Sequence, residues 1–237
     1  MADAGQGAGR LAIILGVVSA ASFISGPLLS TADIVQPMTG FALFALGGLL
    51  AIVTFIIALV TAVRRGFAVA GPAFVLGLLV TGTFAIIAMP ARQVPRINDI
   101  STDTVNPPQF IIAGTIPANA GRDMRYAGAE LAQQQQAFYT DLAGLTLNMP
   151  PDAAFQNVLA AARQMPDWEV TRSDQATRTL EGVSTSKWFH FKDDFVIEVR
   201  PDGTGSVVQM RSKSRDGRSD IGANAARIRA FFDKLKS

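Results

Sequence analysis

The 237-residue chain has no cysteine and a single histidine. Without thiols there is no disulfide framework, no thiolate nucleophile and no sulfur-ligated zinc or iron–sulfur centre. With His190 the only imidazole, zinc would have to rely on carboxylates, an atypical donor set, so neither a metal nor a cofactor is expected. Charge is scarce as well. Asp, Glu, Lys and Arg make up 17% of the chain while 49% is hydrophobic, an imbalance unlike that of an average soluble domain, where about 25% is charged. Some part of the chain is therefore expected to meet lipid. A net charge of +2 gives little field to attract a polyanion, and aromatics do not alternate with the cations, so nucleic acid is not an expected partner.

The missing charge is concentrated in the first third. Leu11 to Ser30, Gly40 to Val63 and Phe67 to Met89 carry no ionisable side chain. At about 1.5 Å per residue, each can cross a hydrocarbon core of about 30 Å as a helix. The first run is the least apolar, with Ser19, Ser22, Ser25 and Gly26-Pro27, and a cleaved signal peptide is its rival reading. Gly47, Gly48, Gly71 and Gly77 allow close helix approach in a small antiparallel bundle. A transporter or pump usually keeps ionisable groups in its spans, and these spans have none. Arg10, Arg64 and Arg65 favour a cytoplasmic side before the first span and between the second and third. Span parity then places the rest of the chain outside, against Arg92 and Arg96. The expected setting is an inner membrane of bacterial type with a periplasmic C-terminal domain.

The organisation read from composition is a membrane region over 1–90, a proline-containing connector over 91–124 and a soluble α+β domain over 125–237. From Arg92 to Ser206 there are 10 cations and 14 acids, and from Val207 to Ser237 8 and 3, so the C-terminal stretch is a basic block. Prolines 95, 107 and 108 mark the connector as extended. Apolar spacing predicts helices over Arg125 to Leu142, with its run of four glutamines exposed, over Asp152 to Gln164 and over Asp220 to Leu235. Between the last two, "WEVTR", "TLEGVSTS", "KWFHF", "DFVIEVR" and "GSVVQMRSKSR" read as strands. The result is an antiparallel sheet of about four or five strands with helices on one face. A turn at "PDGTG" closed by Val199 and Ser206 sets Phe195 opposite Met210 and Asp194 opposite Arg211. A two-residue shift would keep the faces and change the pairs.

The stretches "RINDISTD", "PPQF", "KWFHFKDDFVIEVR" and "RSKSRDGRSDIGANAARIRAF" together resemble the family catalogued as domain of unknown function 1499. The likeness runs from about Arg96 to Phe232. It implies no activity, and some members look membrane-anchored or exported. Lys192, in place of a proline before the paired aspartates, and "YTDLAG" after the glutamine run depart from the family pattern.

Several residues could carry chemistry, each with a plainer structural reading. His190 with Asp193 or Asp194 is the raw material of an envelope hydrolase or transferase, yet no nucleophile elbow accompanies them. Adjacent strand residues point to opposite faces, so the two aspartates do not converge. Ser184 to Lys187 matches S-x-x-K without the other boxes of penicillin-recognising enzymes. No catalytic residue is therefore assigned. Arg211, Arg215, Ser219, Asn224 and Arg227 form a candidate anion pocket at a helix start, suited to a lipid headgroup or cell-wall fragment. The plainer reading pairs these cations internally with Asp193, Asp194 and Asp220. The function expected is a binding module in the cell envelope. Its partners would be the lipid bilayer and an envelope protein or anionic amphiphile.

Overall fold

A computed structural model describes residues 3–237. They form two compact units, one running up to Gln93 and including Lys187–His190, the other made of Val94–Ser186 and Phe191–Ser237.

The first unit is three helices, α1 (Asp3–Thr31), α2 (Pro37–Arg65) and α3 (Phe67–Ala88). Each contains a stretch long and apolar enough to cross a membrane: Gly9–Thr31, Pro37–Arg65 and Phe67–Ala88. Neighbours in sequence run antiparallel. Gly26 of α1 lies against Gly40 and Phe44 of α2, Gly47 of α2 against Phe23 and Ser19 of α1, and Gly77 of α3 against Phe55 of α2. A Cβ at Gly47 would overlap the backbone of Phe23. Only a bare backbone permits that approach, which gains the dispersion contacts that hold helices together in lipid. Phe23, Phe44 and Phe84 fill the space beside these contacts, with Phe23 and Phe44 centroids 4.5 Å apart. Ser19 and Thr54 bond back to their own helices, Ser19 Oγ donating to Gly16 O at 2.9 Å and Thr54 Oγ1 to Leu50 O at 2.9 Å, whereas the buried Thr81 hydroxyl oxygen of α3 has no hydrogen-bond partner among the described residues.

The second unit holds β1 (Asp99–Ser101), α4 (Ala129–Phe138), β2 (Leu145–Leu147), α5 (Pro151–Arg163), β3 (Trp168–Asp174), β4 (Thr179–Thr185), β5 (Lys192–Asp202), β6 (Gly205–Ser214) and α6 (Ala223–Lys236). The fold is α+β, with a six-stranded antiparallel sheet in the order β1-β6-β5-β4-β3 and β2 also on β6. The two additional strands are three residues each, too short to show alternation. α5 and α6 cover one face. Phe155, Val158, Ile228 and Phe231 pack there against Phe195, Ile197, Val208 and Met210.

The β5–β6 hairpin turns on Gly203-Thr204, with Asp202 opposite Gly205. Phe195 therefore pairs with Ser212 and Asp194 with Lys213, two residues away from the register expected above. Gly203 takes φ +58, and this lone positive angle at the first central position suits a two-residue turn. "KWFHF" is not a strand. Residues 186–191 form the loop between β4 and β5, closed by Ser186 N donating to Phe191 O at 2.8 Å, and His190 sits there with φ +55. α4 is shorter than expected, starting after Gly128 at φ +84 and ending before Tyr139. Its glutamines are not all exposed, because Gln135 is buried.

Candidate functional site

Directly opposed residues on neighbouring strands share a face, so the register defines two polar rows on the face away from α5 and α6. One row reads Asp99, Lys213, Asp194, Val183 and Glu169. The next reads Ser101, Arg211, Val196, Glu181 and Arg172. Asp99, Asp194, Glu181 and Arg211 in these rows are fully or almost fully buried. What covers them is the segment 102–126.

Each buried charge has its partners. Arg211 Nε and Nη2 donate to the two oxygens of Asp99 at 2.8 and 2.7 Å, and Lys213 Nζ donates to Asp99 Oδ2 at 2.9 Å. The Arg211 guanidinium also donates to the carbonyls of Pro108 and Met124, between the rings of Phe110 and Tyr126. Asp194 accepts from Arg215 Nη2 at 2.7 Å, Arg122 Nη1 at 3.1 Å and Asn119 Nδ2 at 2.9 Å. Glu181 accepts from the backbone amides of Ile111, Ile112 and Ala113 at 2.9–3.0 Å. The covering segment is thus fastened by carboxylates and guanidinium groups.

Burial pushes the Tyr126 hydroxyl up to about 12, with the nearby Asp99 charge adding to the shift and Arg211 opposing it. Phenolate is disfavoured where water is excluded and a carboxylate is close.

On the helix-covered face a second polar group surrounds the start of α6. Arg227 Nη2 donates to Asp193 Oδ2 at 2.5 Å and its Nη1 to Ser212 Oγ at 2.9 Å. Asn224 Oδ1 accepts from Ser212 Oγ at 2.7 Å, and its Nδ2 donates to Ser214 Oγ at 3.1 Å. α6 begins at Ala223, three residues later than expected, with Gly222 at φ +83. Asp220 holds the turn that leads into the helix, its oxygens accepting from Gly222 N at 2.8 Å and Asn224 N at 3.0 Å, while Ser219 Oγ accepts from Ile221 N at 3.3 Å. Burial pushes the Asp220 carboxyl up, against the pull of those two amides.

The five residues of the candidate anion pocket are therefore not gathered in one place. Arg211 and Arg215 lie under the covering segment with Asp99 and Asp194. Asn224 and Arg227 lie on the opposite face with Asp193, and Ser219 sits in the turn before α6. Asp194 pairs with Arg215 where Arg211 was expected, and Asp220 holds backbone amides where a cation was expected. The paired aspartates point to opposite faces, as strand alternation requires, and each is engaged by an arginine. His190 falls in the helical unit, its Nδ1 3.0 Å from Asp33 Oδ1. Among the described residues no group of three His, Cys, Asp or Glu is placed to hold a metal ion.

Sequence reasoning missed Asp99, Glu181, Arg122 and Gln135. Gln135 closes the outer edge of β1, accepting from Ser101 N at 2.9 Å and donating to Ser101 O at 2.6 Å, as another strand would. Its place in a run of four glutamines hid it. The Asp99 signal was available, as an acid flanked by "IN" and "IS" ahead of a basic strand.

A family model described as "Protein of unknown function (DUF1499)" matches residues 99–235, more than half of the chain. No curated protein matches.

Proposed function

Since the chain belongs to the family of proteins of unknown function DUF1499, we propose its role from its own geometry. It is an integral membrane protein of a bacterial-type inner membrane whose folded domain lies outside the cytoplasm. That domain acts as a binding module for an envelope protein or an anionic amphiphile. One observation carries the preference for binding over catalysis: the buried carboxylates Asp99, Asp193 and Asp194 are spent on cations of the same domain. Asp99 engages Arg211 and Lys213, Asp194 engages Arg215 and Arg122, and Asp193 engages Arg227. A general acid or base must exchange a proton with substrate, and these carboxylates are locked in charge-assisted bonds. For the same reason Arg211, Arg215 and Arg227 serve the fold.

Binding then falls to exposed surface outside these networks. Val105 and Ile111 on the covering segment and Ile221 before α6 are well exposed. The test is in-cell photo-crosslinking from a reactive residue placed at each of these three positions, with the unsubstituted chain as the control. Discrete adducts to an envelope component from at least one of these positions, and none from the unsubstituted chain, support the reading. Adducts to cytoplasmic proteins, or none at all, overturn it.

A further inference from the structure

The helical unit contains one short stretch from far along the chain, Lys187–His190. Within that unit it is fixed against the turn that joins α1 to α2. Ser30 Oγ donates to Phe189 O at 2.6 Å, and the Phe189 ring meets those of Phe41 and Phe44 edge-on, each at 5.6 Å. His190 faces Asp33 of the same turn. The backbone accepts the left-handed conformation at His190, uncommon for a residue with a side chain, so local contacts hold the segment in one shape.

While Phe189 points inward, its neighbour Trp188 is left 71% exposed, and Lys187 beside it is exposed as well. Among the described residues no other aromatic side chain is as exposed. The level at which it stands is set by the helices: α1 ends at Thr31 and α2 begins at Pro37, so this turn marks where two apolar stretches leave the hydrocarbon. The flanking apolar residues Leu28, Ile34 and Met38 are exposed too, as expected of a surface that meets lipid. An indole suits this depth, because its ring is apolar and its N–H seeks the headgroup region. A lysine at the same depth extends its stem along apolar surface and its ammonium toward phosphate.

We propose that Trp188, with Lys187, is an interfacial anchor whose occupant is the glycerol and headgroup layer of the bilayer. This rests on the reading that α1 to α3 span a membrane. The chain has two tryptophans, and Trp168 packs on Phe195 and Phe231, with centroids 4.1 and 5.2 Å away. The full chain carrying Trp168→Phe, reconstituted in phosphatidylcholine–phosphatidylglycerol vesicles, leaves Trp188 as the only indole emitter. Its fluorescence is expected to be quenched more strongly by lipids brominated near the carbonyl end of the acyl chain than by lipids brominated near the bilayer centre. Aqueous iodide should quench it weakly. Should Trp168→Phe fail to fold, the difference in quenching between the wild-type chain and Trp188→Phe supplies the same quantity. Strong iodide quenching with no response to any brominated lipid overturns the proposal, including the case in which a protein partner covers Trp188 in the cell. Alkaline carbonate extraction of the same vesicles separates the two readings. A chain that stays with the lipid while Trp188 is unquenched defeats the anchor alone, and a chain that is extracted defeats the spanning reading with it.

Discussion

Arg211 is the largest fully buried side chain in the described part of the molecule. A guanidinium removed from water is tolerated only if opposite charge and hydrogen-bond acceptors replace the lost solvent. Asp99 supplies the charge through two parallel bonds, and the carbonyls of Pro108 and Met124 take remaining donors. Removing Asp99 strands both Arg211 and Lys213. Asp99→Ala is accordingly expected to lower stability by about 3–5 kcal/mol, the usual cost of breaking a buried pair from one side. Denaturant unfolding of the detergent-solubilised chain measures this, and a loss below about 0.5 kcal/mol, typical of surface changes, would show that the pair is not buried as described. At this scale the sequence displayed the cations but not their partners. Arg211 and Asp99 are 112 positions apart, and a cation alternating with serines on a strand reads as solvent-facing unless something is known to cover that face.

The elements follow the usual periodicities where they are long and depart from them where they are short or covered twice. α5 spans Pro151–Arg163, one residue from its expected bounds, because its apolar stripe and flanking prolines are local signals. β4 is buried along six of its seven residues, since the helices cover one face and the segment 102–126 the other. Such a strand loses the apolar/polar alternation that would reveal its faces. Tyr126 lies in that covering segment, and its titration reports whether the segment is seated. In the seated state the neutral phenol is favoured, so the folded value, about 12, lies above the ordinary 10. Between those two values the unfolded chain has lost a proton that the fold retains. The stabilisation from this group is complete below pH 10 and is lost as pH rises toward 12. Burial pushes the Tyr139 hydroxyl up too. Tyr139→Phe leaves Tyr126 as the one tyrosine, and absorbance at the tyrosinate band of that chain is expected to stay low in the native protein at pH 10 and to rise near pH 12, whereas the denatured chain titrates near 10. Tyr126 half-ionised at pH 10 in the native protein would mean that the segment does not cover the sheet.

For the whole molecule, uncharged runs and the basic C-terminal block were enough to separate an apolar helical part from a folded α+β part. The order of strands was not legible, because β1 and β2 share the edge of β6 from distant places in the chain. Orientation rests on three arginines. α1 and α2 are antiparallel, so Arg10 near the start of α1 stands at the same end of the bundle as Arg64 and Arg65 in the last turn of α2. The opposite turn carries Asp33. The excess of cations at that end is the ground on which we propose the cytoplasm lies there, as loop charge directs generally; on that proposal three spans leave the family domain outside, against Arg92 and Arg96 just beyond α3. Everything proposed for its partners depends on that side. A pair of reporters fused after Ser237 of the full chain decides it most directly. The account predicts activity from a reporter that matures only outside the cytoplasm and silence from one that works only inside. The reverse pattern would contradict it.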